Sequence, residues 1–249
     1  MDILSGPELQ NVSSLYDFYE TNQALIYSVL ENQFDGCVYT DNKSIMQWAI
    51  LRTPFLQHFI AGIPNNSCEE IIEDILFNII LKEQDEKEIV VFAISTQWHD
   101  ILNRIFTKRK GVSDGRKIFA FNREKYNSIK RQSIPDNVVP VVELKKCMPY
   151  SLKDTWSAVL LADNKEVSSS KAIMVGKGMA EIEISTVEAF QGKGYATLTA
   201  TLLIDKLLEN NLTPTWSTWP FRLASQHIAQ KLGFVAQPDA KAWIWMETM

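Results

Sequence analysis

Glu181-Ile182-Glu183-Ile184-Ser185-Thr186-Val187-Glu188-Ala189-Phe190-Gln191-Gly192-Lys193-Gly194-Tyr195-Ala196 decides the reading of this chain. Residues 181–187 alternate polar and apolar side chains and read as a strand. A short loop with Gln191, Gly192, Lys193 and Gly194 follows, and then a long amphipathic helix begins. Tyr195, Leu198, Leu202 and one or more of Leu203, Leu207 and Leu208 form its buried face, while Lys206 and Glu209 face out. The first N–H groups of a helix have no intrahelical partner, and the helix dipole adds partial positive charge there. A glycine-rich turn at that point is an anion site. Glycine also lets a pyrophosphate come close to the backbone.

Working outward, Val138–Leu144, Trp156–Ala162 and Glu166–Val175 read as strands that lead into 181–187, with turns at Asp163-Asn164-Lys165 and Gly176-Lys177-Gly178. Beyond the long helix, Thr213–Thr218 reads as a strand and Leu223–Leu232 as a helix stopped by Gly233. Ala242–Met246 reads as a closing strand. This order predicts a mixed sheet flanked by helices.

In the first half, Leu15, Phe18, Tyr19, Leu25, Ile26, Val29 and Leu30 recur at helical spacing, and Cys37–Thr40 and Phe55–Ile60 read as short strands. Ser67 caps a helix whose apolar stripe runs from Ile71 to Ile80, and charged residues 82–88 end it. Ile89–Ile94 is a buried-strand candidate. Thr96 caps a helix that Gly111 stops, and Lys117–Asn122 is a further strand. The polar stretch 125–138 is the best linker. The chain then divides into a smaller α/β N-terminal domain, 1–130, and a second domain, 131–249. No internal repeat of 20–50 residues is evident.

Composition is that of an ordinary soluble globular protein: 249 residues, 46% hydrophobic, 22% charged, formal net charge −5. The negative balance argues against bulk nucleic-acid binding. No apolar run approaches a membrane span, and the N-terminus lacks the features of a signal peptide. Cys37, Cys68 and Cys147 are far apart and fit a reducing cytoplasm. Scattered histidines offer no metal-ligand cluster. The basic run Lys108, Arg109, Lys110, Arg116 and Lys117 reads as a solvated helix end. Glu181 and Glu183 lie two apart on one strand, so both carboxylates point to one face. That face either carries out chemistry or holds the pair in structural hydrogen bonds. Trp216, Trp219 and Phe221 form an aromatic group that is either packing or a pocket wall.

Gln191, Gly194 and Ala196 form Gln-x-x-Gly-x-Ala between a strand and a helix. Ser225-x-x-x-Ala229-x-Lys231-Leu232-Gly233-Phe234 follows downstream. Together with the order of elements, this resembles the GNAT superfamily of acyl-CoA-dependent N-acetyltransferases over about residues 138–249. The branch it looks most like carries an extra N-terminal domain and includes zwittermicin-type resistance acetyltransferases. The resemblance implies a cytoplasmic bacterial enzyme that binds acetyl-CoA and acetylates a small-molecule amine, without metal, nucleic acid or membrane. Its N-terminal domain would wall the acceptor pocket or mediate a homodimer. It places coenzyme A pyrophosphate on Gln191, Gly192, Lys193, Gly194, Tyr195 and Ala196, and the pantetheine amides on Thr186 and Val187. Glu183 would be the base or water-orienting group, with Glu181 in support. Two departures stand out. Arg222 falls where the branch is expected to carry Asn, and no tyrosine follows Tyr195 to act as the acid for the leaving thiolate. Ser225 or water would then be the donor. The alternative is a catalytically degenerate module that holds acyl-CoA or contacts a protein. A different nucleotide-binding protein is disfavoured, because the loop lacks the P-loop and dinucleotide fingerprints.

Overall fold

Apolar strand residues in this chain come in clusters that helices cover, and the computed structural model, which describes residues 1–65, 67–83 and 87–247, resolves them into two units. The first is built from residues 1–116 together with the segment from Asp239 onward. It opens with β1 (Asp2–Leu4), the short α1 (Ser13–Tyr16) and α2 (Gln23–Leu30), whose residues Ala24 to Leu30 are all buried. Then come β2 (Cys37–Thr40), β3 (Trp48–Arg52) and β4 (Gln57–Gly62). Helix α3 (Cys68–Asp74) continues through a π-helical turn, Ile75–Ile80, into α4 (Leu81–Glu83). Residues 84–86 of the charged stretch lie outside the described residues. β5 (Glu88–Ala93), α5 (Thr96–Lys108) and β6 (Val112–Phe121) follow. β1 to β4 pair antiparallel in sequence order, and β5 lies parallel to β4. Trp48, Ile72, Leu76, Val91, Trp98, Leu102 and Trp243 pack into its core.

Local differences from the sequence reading have simple causes. β3 was not legible because Trp-Ala-Ile-Leu is buried throughout and shows no alternation. Ser95, not Thr96, caps α5: its side chain accepts from the Trp98 N–H at 3.3 Å. Lys110, with φ of 60°, takes the left-handed position after that helix. Ser67 sits at the start of α3 but makes no capping bond. Lys108 and Arg109 are paired rather than only solvated: they meet the carboxylate of Glu73 at 2.8 and 2.7 Å.

The second unit spans Lys117–Pro238. Its elements are α6 (Arg123–Ser128), β7 (Val139–Lys145), β8 (Thr155–Ala162), β9 (Lys165–Gly176), β10 (Met179–Thr186), α7 (Tyr195–Glu209), β11 (Thr213–Thr218), α8 (Leu223–Lys231) and β12 (Phe234–Ala236). β7 to β10 pair antiparallel in order, and β11 lies parallel to β10. Residues 117–119 of β6 close the other side of β11. Leu203, Ile204 and Leu207 of α7 pack on Ala158, Ala172, Ala180 and Trp216 of the sheet. The expected buried face of α7 is observed, with Leu202 partly buried at its margin. Burying three such aliphatic side chains contributes on the order of 5–9 kcal/mol before entropy is counted. Gly233 ends α8 with φ of +84°, and a Cβ there would stand 2.7 Å from the Tyr126 nitrogen, so the Leu-Gly-Phe turn has no room for a side chain.

The last strand, β13 (Ala240–Met246), does not close this second sheet. It pairs with β5 from Ala242↔Phe92 to Met246↔Glu88, and with residues 112–116 of β6. Trp243 is buried in the first core, and its indole donates to Asn103 Oδ1 at 2.9 Å. The two units therefore repeat one order. Four antiparallel strands are followed by a helix, a strand parallel to the fourth, a second helix and an antiparallel strand. The repetition lies in topology and left no periodic sequence signal.

Candidate active site

β10 and β11 are paired over three residues only, from Met179↔Thr213 to Glu181↔Thr215. Beyond that point β10 runs on to Thr186 and β11 to Thr218 without pairing to each other. Where they part, a cavity of about 730 Å³ opens, walled by Ile184, Ser185 and Thr186 of β10. Phe190, Gln191, Gly192 and residues 194–197 of the loop and helix start, with Phe221, Arg222, Leu223, Ala224, Ser225 and Ile228 at and before the start of α8, complete its lining.

The loop has the character expected of an anion site. Gly192 and Gly194 take φ of 74° and 81°, a region closed to most side chains. Gly194 is the N-cap residue of the fifteen-residue α7. After Gln191 N–H, which donates to Glu188 O at 3.1 Å, the next amide with an internal acceptor is Leu198 N–H, which donates to Gly194 O at 3.0 Å. Among the described residues, no acceptor meets the N–H groups of residues 192–197. Six consecutive donors at the positive end of a helix suit a diphosphate. Gln191 braces the loop by donating from Nε2 to Thr186 O at 3.2 Å.

The expected site residues separate into groups. Thr186, Gln191, Gly192, Gly194, Tyr195, Ala196 and Ser225 come together around the cavity. Lys193 faces a second, smaller cavity of about 350 Å³ with Lys130, Arg131 and Gln132, and its Nζ lies 4.7 Å from the Phe190 ring. Val187 is half exposed, and its backbone groups are engaged: its N–H donates to Val167 O at 3.0 Å and its C=O accepts from Phe190 N–H at 2.8 Å.

The two carboxylates have different surroundings. Glu181 is 5% exposed and accepts from Thr215 Oγ1 and Ser217 Oγ, each at 2.5 Å. It sits at the last paired position of the β10–β11 ladder and ties the strands together just before they part. Two hydroxyl donors satisfy a carboxylate that would otherwise be costly to bury. Glu183 is exposed on β10 beyond the ladder. Neither is among the cavity's lining residues.

The aromatic group also divides. Trp216 is 2% exposed and packs edge-on against Phe234, whereas Phe221 is 73% exposed at the cavity. Ala224, Ser225 and Ile228 reach the cavity together because three- and four-residue spacings share a helix face, and Phe221 joins them from the turn before α8. That periodicity was the available signal for Ala224 and Ile228. Cys147 faces the carbonyls of Thr155 and Trp156, and burial pushes its thiol pKa up, which makes it a poor nucleophile. Among the described residues there is no metal-binding cluster, and no helix is long and apolar enough to cross a membrane.

Residues 152–242 match the family model for GNAT acetyltransferases. The chain is 23% identical over 254 residues to the uncharacterized N-acetyltransferase YdfB of Bacillus subtilis (strain 168), covering 94% of this chain and 95% of that one. A GCN5-related N-acetyltransferase-like protein of Streptococcus suis 89/1591 superposes with a TM-score of 0.67 at 18% identity, over 96% of this chain and 98% of the other. A tandem GNAT protein from the clavulanic acid biosynthesis pathway does so with a TM-score of 0.63 at 8% identity, over 99% and 98%. The architecture built up above, a mixed sheet flanked by helices, is therefore the fold of the GCN5-related N-acetyltransferases, and residues 152–242 carry the match to the GNAT acetyltransferase model.

Proposed function

We propose that this protein transfers an acetyl group from acetyl-CoA to a primary amine of a small molecule. One observation carries the reading: the strands β10 and β11 part into a cavity beside six unpartnered loop and helix amides. The GNAT acetyltransferase match over residues 152–242 and the N-acetyltransferase relative support it.

Acetyl-CoA, when bound, supplies an activated acyl carbon and a thiolate leaving group. The amides of residues 192–197 would hold its diphosphate, and Gly192 and Gly194 give the loop the positive-φ turn that presents them. The edge of β10 at Ile184–Thr186 offers backbone groups to an amide-bearing arm in the manner of an added strand. An alkyl ammonium has a pKa of about 10.4, so the acceptor must lose a proton before it can attack. Glu183 takes that proton, directly or through water, with Glu181 fixing the strand end behind it. Ser225 donates a hydrogen bond toward the sulfur that gains charge.

A second reading, a protein that holds acyl-CoA without turning it over, is favoured by one feature: no tyrosine follows Tyr195. Both readings require the cofactor. At a hundredfold excess over Kd, acetyl-CoA and CoA should raise the melting temperature by about 5–10 °C, and ATP should not. Equal shifts with ATP, or none with acetyl-CoA, overturn both. Free-thiol release with a panel of amines then separates them. Glu183→Gln should lower turnover at neutral pH by about 100-fold and leave cofactor affinity unchanged. Full activity in that variant removes Glu183 from the mechanism.

A further inference from the structure

Trp216 is a fully buried residue on β11 whose polar atom faces the active-site helix. Its Nε1–H donates to Ser225 Oγ at 3.1 Å. Register fixes the indole: Trp216 pairs with Phe119 of β6, and its ring meets Phe234 at 5.4 Å. Ser225 is fixed as well. Its own N–H donates to Arg222 O at 3.1 Å, and the neighbouring Gln226 side chain donates to Pro220 O at 2.7 Å. An indole N–H can only donate, whereas a hydroxyl both donates and accepts. Ser225 Oγ is therefore the acceptor in this bond, and its proton must point elsewhere. Among the described residues, no acceptor takes that proton, and Ser225 lines the cavity.

We propose that Trp216 is a positioning residue. By occupying the acceptor side of Ser225, it holds that hydroxyl as a donor toward the sulfur of coenzyme A bound in the cavity. This rests on the acyl-CoA reading above and adds to it how a chain with no tyrosine after Tyr195 steadies the leaving group. The amine nitrogen bonds to the acyl carbon, the C–S bond breaks, and its electron pair stays on sulfur, facing the Ser225 proton. The amine's own proton leaves by the base or water, so Ser225 needs to lose none.

The test reads the ionisation of CoA on the protein, from the ultraviolet absorbance of its thiolate as pH is raised. In the wild type the bound thiol should ionise about one pH unit below free CoA, a tenfold preference for thiolate. Ser225→Ala should return it to the free value. Trp216→Phe should move it part of the way, and the double variant should match Ser225→Ala alone, because Trp216 acts only through that hydroxyl. Ser225→Thr should keep the low value. In turnover, Trp216→Phe should lower kcat and leave KM for acetyl-CoA unchanged. If Trp216→Phe does not fold, benzothienylalanine at position 216 removes the N–H at nearly constant shape. Bound CoA with an unperturbed thiol, or a Trp216 effect that persists without Ser225, overturns this inference and leaves the acyl-CoA reading standing. If CoA does not bind at all, both fall.

Discussion

The parallel strand pairs β4–β5 and β10–β11 stand at the same place in the same order of elements, and of these two only β10–β11 opens. β4 and β5 pair over four residues, Gln57↔Val90 to Ile60↔Ala93, which takes β5 to its last residue. Tyr19 closes this end, donating to Ile60 O at 2.6 Å and lying 3.0 Å from Phe92 O, one carbonyl from each strand. The stacked rings of Phe59 and Phe92 fill the space around it. At the start of the following helix, Ser67 and Cys68 N–H groups donate to Asn65 at 3.2 and 3.3 Å. In the second unit the ladder stops at Glu181 and both strands continue apart. The helix that follows is preceded by two glycines with positive φ and open donors. The lesson is that topology alone makes no site. A site requires that the strands separate, that nothing aromatic fills the gap, and that the helix start stay unsatisfied.

Acid should separate the two units most strongly. His58 in the first unit is 1% exposed, and burial together with the nearby Arg52 guanidinium lowers its pKa to about 3. Between the ordinary histidine value, about 6.5, and that depressed value, the unfolded chain takes up a proton that the folded chain refuses. Stability should fall as pH drops through this window by about 1.4 kcal/mol per pH unit, several kcal/mol in all, and be regained as pH rises. Among the described residues the second unit has one histidine, His227, and it is exposed. Denaturant melts from pH 7 to pH 4, with His58→Gln as the control that flattens the slope, measure this. An equal slope in that variant refutes it.

Cofactor binding should show the next largest contrast. Gly194→Ala puts a Cβ in the left-handed region and 3.1 Å from Gln132 Nε2, which strains the loop that carries the open amides. Acetyl-CoA affinity should drop about 100-fold, or ~2.7 kcal/mol, by titration calorimetry. The wild type should take up one equivalent of acetyl-CoA per chain. Two equivalents would mean that the end of β4–β5 opens after all. Tyr19→Phe tests that closure directly. It removes the hydroxyl that donates to Ile60 O beside Phe92 O, should cost about 1–3 kcal/mol in stability, and should leave acetyl-CoA affinity unchanged. A gain of a second binding equivalent in Tyr19→Phe would show that the phenol is what excludes the ligand.

Much of the second unit was legible because its signals are local. Alternation marks β10, glycines mark the turn before α7, and Leu-Gly-Phe closes α8 against Tyr126. The loop itself was the clearest, since glycine spacing and helix polarity act over a few residues. What escaped depends on long-range pairing. Glu181 is held by hydroxyls of Thr215 and Ser217, more than thirty positions away, and Trp216 meets Ser225 only because β11 and α8 are brought together. β1, three residues long, and β3, without alternation, were missed, and with them went the four-stranded run that makes the first unit a repetition of the second. The pairing of β13 with β5 has no local signal, since an apolar strand does not specify which sheet it joins.

That pairing bears on how the protein is made. β13 supplies Trp243 to a core whose other members, from Cys37 to Phe106, leave the ribosome long before it. During synthesis the N-terminal core stands with β5 open along one edge until β13 has emerged, after every strand and helix of the second unit, so its completion waits on a segment made long after the rest of it.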